Sequence, residues 1–335
     1  MSLPPVEIPL GAMRFNSDSQ KLEYFNGEIW MQVHTFSPDL NGGPRGFWAG
    51  GATPTKVDDI DYLALTSNGN ALDFGELTES ATDGNAGFAS RVRGISAGGS
   101  TSTTVNIIEY VTISSVGNAI NFGDLTLARS FVAGASNDTR GLVAGAWSPQ
   151  SNVIDYITIA STGDAKDFGD LTVVRQVTCG MASPVRAVFP GGSQPSPGAY
   201  QDVIDYVTIP TTGNAADFGN LNLGGYGNAA CSNSIRGIHF CGDLAPNATK
   251  SSAIDYITIA TTGNVTGFGE LPAGRSYPAA VASSIRAFVG GGFTPGITNA
   301  VDYVTIATTG DSSDFGDLTS NRAYMASFSN AHGGL

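Results

Sequence analysis

The stretch VIDYITIASTGDAKDFGDL, residues 153–171, decides the fold, because five other stretches of the chain repeat its pattern. In all six copies a Tyr is followed by Gly after 7 residues, by Phe after 12 and by Leu after 15. Successive tyrosines lie 46 to 50 residues apart, and they are Tyr62, Tyr110, Tyr156, Tyr206, Tyr256 and Tyr303. The chain is therefore predicted to consist largely of six copies of one structural unit.

Each unit is predicted to contain four β-strands. Residues 153–159 are rich in β-branched and aromatic side chains and are followed by Thr162-Gly163, a dipeptide typical of tight turns. Upstream of each Tyr, an Arg opens a second apolar run; these arginines are Arg45, Arg93, Arg140, Arg186, Arg236 and Arg286. A small-residue strand, such as residues 130–136, precedes that run, and the Asp-Phe-Gly strand ends the unit. Since this is the size of one four-stranded blade, we predict an all-β, six-bladed β-propeller over residues 41–335.

The two ends of the repeat region are predicted to complete one blade together. No small-residue strand precedes Arg45, whereas residues 323–330 align with the innermost strands of the other units. Pairing of residues 323–330 with the Arg45 strand would remove the open sheet edges that otherwise promote aggregation. This arrangement uses every predicted strand in six blades.

These features resemble the kelch family of β-propellers. The resemblance is carried by the paired glycines that end the arginine strand, as in Gly98-Gly99, by the tyrosine strand, by the later aromatic residue and by an arginine between units. The arginines between units are Arg129, Arg175, Arg275 and Arg322. The resemblance covers about residues 42–335 and implies kelch-like, four-stranded blades.

Charge and composition argue against several partners. The chain has 16 basic and 29 acidic residues and a formal net charge of −13, which disfavours binding to nucleic acid and to anionic membranes. No apolar run approaches the roughly 18 to 20 residues that cross a bilayer, so membrane insertion is not expected. The first residues lack the basic and apolar stretches of a signal peptide, which predicts synthesis in the cytoplasm without export by that route.

Neither a cofactor nor a metal site is predicted. The histidines are His34, His239 and His332, and they are too scattered for a metal site built from neighbouring positions, although a site composed across blades stays open. The cysteines are Cys179, Cys231 and Cys241; they form no Cys-x-x-Cys pair and are interpreted as buried thiols.

The repeat also explains two patterns that suggest chemistry. Gly94-Ile95-Ser96-Ala97-Gly98 matches the G-x-S-x-G elbow of serine hydrolases, but no helix follows it as that elbow requires. The acid before each repeated Tyr is one of Asp61, Glu109, Asp155, Asp205, Asp255 and Asp302. A ring of cation ligands is one interpretation of these acids, and pairing with the recurring arginines within the scaffold is the favoured one. We therefore do not expect an enzyme.

Residues 1–40 do not repeat and are predicted to form a small β module. Strand-like alternation on both sides of Asn26-Gly27 predicts a two-stranded hairpin. Because such a hairpin is marginally stable alone, its side chains must pack on the propeller, on a sister chain or on a larger particle. The side chains expected to do so are Tyr24, Phe25, Ile29 and Trp30.

The strings GAMRFNSD, residues 11–18, and KLEYFNGEIW, residues 21–30, resemble a short module of bacteriophage tail fibres and other virion structural proteins. The resemblance implies a protein of the virion, made in the host cytoplasm, whose module attaches it to other virion proteins.

Ligand-binding residues are expected in the loops between the second and third strands, because these loops differ most between units. They carry Lys56, Trp147, Tyr200, Lys250 and Phe293. The up-and-down strand order places these loops at the same end of the propeller, here called its rim, as the four arginines between units. Aromatic side chains stack on the apolar faces of sugars, so this rim is predicted to bind a host surface glycan or another virion protein. The alternative is that these side chains only cover the core and that the protein is a non-adhesive decoration or scaffold protein.

Overall fold

The computed structural model describes residues 8–16, 21–32, 43–79, 84–176, 179–194, 200–240 and 242–335. Every regular element in these residues is a β-strand, which confirms the all-β prediction for them. The described residues contain no helix long and apolar enough to cross a membrane. The chain divides into two compact units, Met1–Leu40 and Asn41–Leu335.

Six four-stranded antiparallel sheets make up most of the second unit, which has the character of a β-propeller-like fold. We number them sheets 1 to 6 and give their strands from first to fourth in sheet order. Sheet 1 has Ala326–Ser329, Arg45–Ala49, Asp59–Ala64 and Leu72–Glu76; sheet 2 has Ala86–Ala89, Arg93–Ala97, Ile107–Thr112 and Ile120–Asp124; sheet 3 has Ala133–Ser136, Arg140–Ala146, Ser151–Thr158 and Lys166–Asp170. Sheet 4 has Met181–Ala182, Arg186–Pro190, Val203–Thr208 and Ala216–Asn220; sheet 5 has Ala229–Ser232, Arg236–Phe240, Ala253–Thr258 and Thr266–Glu270; sheet 6 has Ala279–Ala282, Arg286–Gly290, Ala300–Thr305 and Ser313–Asp317.

Two smaller sheets join this unit. One has three strands, Gly225–Tyr226, Asp243–Leu244 and Thr249–Lys250, and the other has two, Ala52–Thr53 and Thr55–Lys56. Both lie beside loops that follow the second strand of a sheet.

The first strands of the six sheets contact one another in a cycle. Sheet 1 contacts sheet 2, each sheet contacts the next, and sheet 6 contacts sheet 1. The buried apolar side chains follow the same cycle, because each of six clusters combines residues of two successive sheets. The cluster of sheets 6 and 1, for example, joins Phe288 and Val301 to Trp48 and Leu63.

The repeated Phe lies in a β-bulge. In sheet 3, Ile154 pairs with Gly169 and Asp155 with Asp167, so Phe168 has no partner across the strands. The same shift occurs in the other five sheets. A bulge redirects a side chain, and Phe168 turns into the core, where it is 2% exposed.

The repeated Gly and Phe also form the junctions between sheets. The N–H of Gly213 in sheet 4 donates to the carbonyl oxygen of Phe168 in sheet 3 at 2.8 Å. A Cβ on Gly169, whose φ is +146°, would lie 2.5 Å from the carbonyl of Gly213, so only glycine fits there. The other five junctions have the same bond, from Gly117 to Phe74, Gly163 to Phe122, Gly263 to Phe218, Gly310 to Phe268 and Gly69 to Phe315.

Five of the six arginines that open a second strand bond to the following sheet. Arg140 donates to the carbonyl oxygen of Ile209, directly after the third strand of sheet 4, at 2.8 Å. Its guanidinium also lies 4.5 Å from the ring centroid of Tyr156, which packs edge-on against Phe168. The same arginine bond links sheets 1 to 2, 2 to 3, 4 to 5 and 5 to 6.

Residues from opposite ends of the second unit share sheet 1. Ala326–Ser329 pairs antiparallel with Arg45–Ala49, with Phe328 opposite Phe47. These two rings stack with centroids 5.0 Å apart. Asn330 then bonds to both the N–H of Arg45 and the carbonyl oxygen of Gly43, at 2.8 and 3.0 Å.

The N-terminal unit forms a three-stranded antiparallel sheet of Met13–Asn16, Lys21–Phe25 and Trp30–Gln32. The predicted hairpin forms, since Lys21–Phe25 pairs with Trp30–Gln32, but Met13–Asn16 joins it as a third strand that was not predicted. Its turn is also longer than Asn-Gly, because Phe25 pairs with Trp30 and four residues connect them. The side chain of Asn26 accepts hydrogen bonds from the N–H groups of Glu28 and Ile29, which stabilises this longer turn.

Candidate functional site

The loop rim of the second unit is the side at which the first strand of each sheet begins and the second ends. The antiparallel order places there the loops between second and third strands and the connections between sheets. The opposite side, the turn rim, carries the turns between first and second strands. All five predicted ligand-binding residues belong to the loop rim.

Six aromatic side chains from the loops and connections of five sheets meet on the loop rim, and we call them the mouth cluster. They are Phe131, Tyr200, Tyr226, Tyr277, Phe293 and Tyr324. Tyr200 stacks on Tyr226 with centroids 4.8 Å apart, and Tyr277 lies 4.4 Å from Tyr324. All six are half-buried. The cluster therefore presents a continuous, partly exposed aromatic surface.

Three members of the cluster have a backbone conformation that glycine adopts with less steric strain than other residues. Phe131, Tyr277 and Tyr324 have φ values of 54°, 52° and 63°, in the left-handed region that side chains disfavour. The equivalent residues of sheets 2 and 5 are Gly84 and Gly227, also left-handed. The connection between sheets requires this backbone conformation at each of these equivalent positions. That requirement does not explain why three of the positions carry an aromatic side chain.

Backbone hydrogen bonds link these positions around the axis of the unit. Phe131 donates to Gly84, Gly84 to Tyr324, Tyr324 to Tyr277 and Tyr277 to Gly227, at 2.6 to 3.2 Å. The backbone beneath the three rings is thus fixed by neighbouring sheets. Such a surface is ready to bind without first being ordered.

Sequence reasoning found Tyr200 and Phe293 and missed the other four members of the cluster. Phe131, Tyr277 and Tyr324 each lie six residues after the repeated Leu, so the repeat itself contained a signal for them. Tyr226 lies one residue before that position in its unit and had no such signal.

Tyr226 and Tyr277 remain protonated near neutral pH. Burial, with the neighbouring Tyr200, raises the pKa of Tyr226 to about 12, and burial also raises the pKa of Tyr277. Beside them, Asp243 is opposite Tyr226 in the three-stranded sheet and is buried, which raises its pKa. The Oδ1 atom of Asp243 has no hydrogen-bond partner among the described residues. The cluster therefore combines aromatic faces, neutral hydroxyl groups and an acidic acceptor.

The other predicted ligand-binding residues lie away from the cluster's centre. Trp147 is 42% exposed, and its backbone N–H donates to the carbonyl oxygen of Ser130, next to Phe131. Lys250 is exposed and lies opposite Asp243. Lys56 is committed to the scaffold, because its Nζ donates to Ser100 and Thr101 of the neighbouring loop.

The four arginines between sheets are buried and do not contribute to the surface, although the sequence places them on this rim. Each forms an ion pair with the repeated Asp of a sheet: Arg129 with Asp155, Arg175 with Asp205, Arg275 with Asp302 and Arg322 with Asp61. Three of the aspartates, Asp155, Asp205 and Asp61, also accept from the backbone N–H and hydroxyl of a nearby threonine, as Asp155 does from Thr126. This geometry supports the scaffold interpretation of these acids over a ring of cation ligands.

Sheets 2 and 5 depart from this pattern. In sheet 5 the arginine position is Gly225, and Asn222 donates to Asp255 at 3.4 Å. In sheet 2 the position is residue 81, outside the described residues. Glu109 accepts there from the N–H of Thr78 at 2.6 Å, and burial raises the pKa of its carboxyl.

The same two sheets carry buried amides below the mouth cluster. Asn85 donates to the hydroxyl of Ser96 in sheet 2 at 2.7 Å, and Asn228 lies 2.7 Å from Nε2 of His239 in sheet 5. Ser96 is therefore a buried strand residue, 4% exposed, in a setting that differs from a hydrolase elbow.

His239 is expected to make stability depend on pH. Burial lowers the pKa of His239 to about 4 from 6.5, so between these values the unfolded chain binds a proton that the folded protein does not. Stability is then lost as pH falls below about 6.5, by about 2 kcal/mol at pH 5. His239→Ser, which copies the residue of sheet 2, should remove the contribution of His239 and so reduce the dependence of stability on pH. Urea unfolding of both proteins at pH 7 and pH 5 measures it, and an equal pH dependence in the two would contradict the expectation.

A cavity of about 80 Å³ lies along the axis, between the first strands of the six sheets. Small side chains line it, with Cys179 and Cys231, whose pKa values burial raises. At the turn rim, residues 330–335 lie across it, where His332 bonds to Ala89 and Gly333 to Ser232. Among the described residues no group of three or more His, Cys, Asp or Glu could hold a metal ion, and His34 and Cys241 lie outside them.

The predicted attachment residues lie on two faces of the N-terminal sheet. Tyr24 and Ile29 are exposed, at 39% and 59%. Phe25 and Trp30 are half-buried and contact each other, with centroids 5.5 Å apart.

The chain was compared with known proteins. No protein-family model and no curated protein matches it. The function is therefore inferred from the described geometry and from the resemblances in the sequence.

Proposed function

We propose that the protein is a structural protein of a bacteriophage virion whose propeller binds a host surface glycan through the mouth cluster. The observation that carries the proposal is the set of aromatic residues in the left-handed backbone conformation, which glycine would adopt with less steric strain. Strained residues of this kind concentrate at ligand sites. Aromatic faces beside hydroxyl groups and the carboxylate of Asp243 suit a sugar, which has both apolar faces and hydroxyl donors.

The architecture in this proposal is a six-bladed, kelch-like propeller over residues 41–335. The cycle of contacts between first strands, the six interface clusters and the shared sheet 1 support it. Residues 1–40 form the module that attaches the protein to other virion proteins. The phage assignment rests on the resemblance of residues 11–18 and 21–30 to a virion module.

A second candidate is a non-adhesive decoration or scaffold protein of the particle. The short distance between the rings of Tyr277 and Tyr324, 4.4 Å, favours it, because rings in contact can cover the cavity without binding a ligand. In neither candidate do we assign the protein an enzymatic role, a cofactor, or a nucleic-acid or membrane partner.

Tyr200→Ala is expected to weaken glycan binding by roughly tenfold, since one stacked aromatic contributes about 0.5 to 1.5 kcal/mol beyond its buried area. The measurement is binding of the full chain to an array of bacterial surface polysaccharides. Ile285→Ala is the matched control, because Ile285 is 64% exposed on the turn rim. Absence of binding by the unaltered protein would favour the scaffold candidate, and equal binding by the two variants would exclude the mouth cluster as the binding site.

A further inference from the structure

One face of the N-terminal sheet consists of exposed apolar and aromatic side chains. The register places Met13 opposite Tyr24, Tyr24 opposite Met31, and Phe15 opposite Leu22. Directly opposite residues share a face of a sheet. These five side chains, which we call the apolar face, are 39% to 67% exposed.

The other face of this sheet satisfies its own polar groups. Glu23 is 5% exposed and accepts from Arg14 and Asn16 at 2.8 and 2.9 Å. The guanidinium of Arg14 also lies 4.2 Å from the ring centroid of Trp30, which contacts Phe25. Among the described residues, the apolar face is therefore the side of the sheet that lacks internal partners.

The area of the apolar face is sufficient for a stable interface. Five side chains of this size and exposure present roughly 600 Å², at the upper end of the largest apolar patches on monomers. Two such faces would bury roughly 1,200 Å² together, which is the lower limit for specific interfaces. Leu10 and Ile29, 77% and 59% exposed, lie in the same unit and can add to this area.

The absence of charged side chains on the apolar face favours one kind of binding partner. None of its five side chains is charged, in a chain whose formal net charge is −13. Like charges on facing copies repel each other, and an uncharged surface meets its own copy without that repulsion. A charged partner, in contrast, would find no complementary group here. We infer that the apolar face packs against the apolar face of a second copy of this chain, as sheets do when they stack.

This inference goes beyond the attachment role proposed for residues 1–40, because it assigns one face of their sheet to a second copy of this chain. Its test needs only the purified full chain, whereas attachment to particles is tested with particles. Failure of one therefore does not imply failure of the other.

Phe15→Glu should raise the dissociation constant of the dimer by roughly a hundredfold, the effect of losing a central interface residue. Sedimentation equilibrium measures it, and the unaltered chain should sediment as a dimer. Gln32→Glu is the matched control, because the register pairs Gln32 with Glu23 and not with a residue of the apolar face. This variant should remain dimeric.

Leu22→Cys tests the contact without adding charge. Mild oxidation should link two copies of this variant, while the unaltered chain and Gln32→Cys stay unlinked. A monomeric unaltered chain, a dimer that Phe15→Glu leaves intact, or equal cross-linking at Leu22→Cys and Gln32→Cys would each overturn the inference.

Discussion

Arg175→Met is expected to lower the free energy of unfolding by about 3 to 5 kcal/mol, because it leaves a buried carboxylate without its counter-charge. Arg175 is fully buried and donates to Asp205 at 2.8 Å. It also donates to the carbonyl oxygens of Gly191 and Phe189, at 2.8 and 3.2 Å, and both would lose a partner. Chemical denaturation monitored by tryptophan fluorescence measures the loss.

Two further variants separate the buried charge from the loss of packing. Arg175→Met combined with Asp205→Asn should recover about 1 to 2 kcal/mol, since Asn carries no charge and still accepts from Thr172. Arg91→Met is the control at an exposed ion pair, where the two side chains are 50% and 53% exposed and the charged atoms 4.0 Å apart. It should cost less than about 1 kcal/mol. An equal cost at Arg175 and Arg91 would contradict a structural role for the buried pair.

The strands could be predicted from the sequence because the repeated residues have the same contacts in every sheet. Tyr156, Gly163 and Phe168 recur at fixed spacing since the junction of each sheet with the next needs a Gly, a bulged Phe and a ring beneath an arginine. Any unit that lost one of these would lose a junction. The order of strands follows from the same spacing.

The mouth cluster could not be predicted in the same way, because it combines positions that differ between units. Tyr200 and Phe293 come from loops after second strands, whereas Tyr277 comes from a connection between sheets. Their contacts depend on how the sheets are arranged around the axis, which sequence spacing does not specify. The extra strand Met13–Asn16 was missed for a related reason: its partner Lys21–Phe25 binds it through register and through Arg14 and Glu23, not through a repeated pattern.

Deletion of residues 323–335 is expected to abolish cooperative folding and to cause aggregation. The deletion removes Ala326–Ser329 and exposes the edge of Arg45–Ala49, which becomes available to other chains. It also removes Phe328, 5% exposed and stacked on Phe47. Loss of one such ring costs about 3 to 5 kcal/mol, a large part of the roughly 5 to 15 kcal/mol of a typical domain, and the backbone pairing of the strand is lost as well.

Restoring the strand at a different place in the chain tests whether its position in sheet 1 is what matters. Asn330 bonds to Gly43 and Arg45, so residues 323–330 inserted between residues 42 and 43 of the truncated chain need only a short turn to reach the same edge. This rearranged chain should regain solubility and a single unfolding transition, measured by light scattering and calorimetry. The strand would then pair with Arg45 as a neighbour in sequence, with the same register and the same ring contact. If the truncated chain is soluble and unfolds like the unaltered one, the strand does not close sheet 1, and the six-bladed arrangement would have to be abandoned.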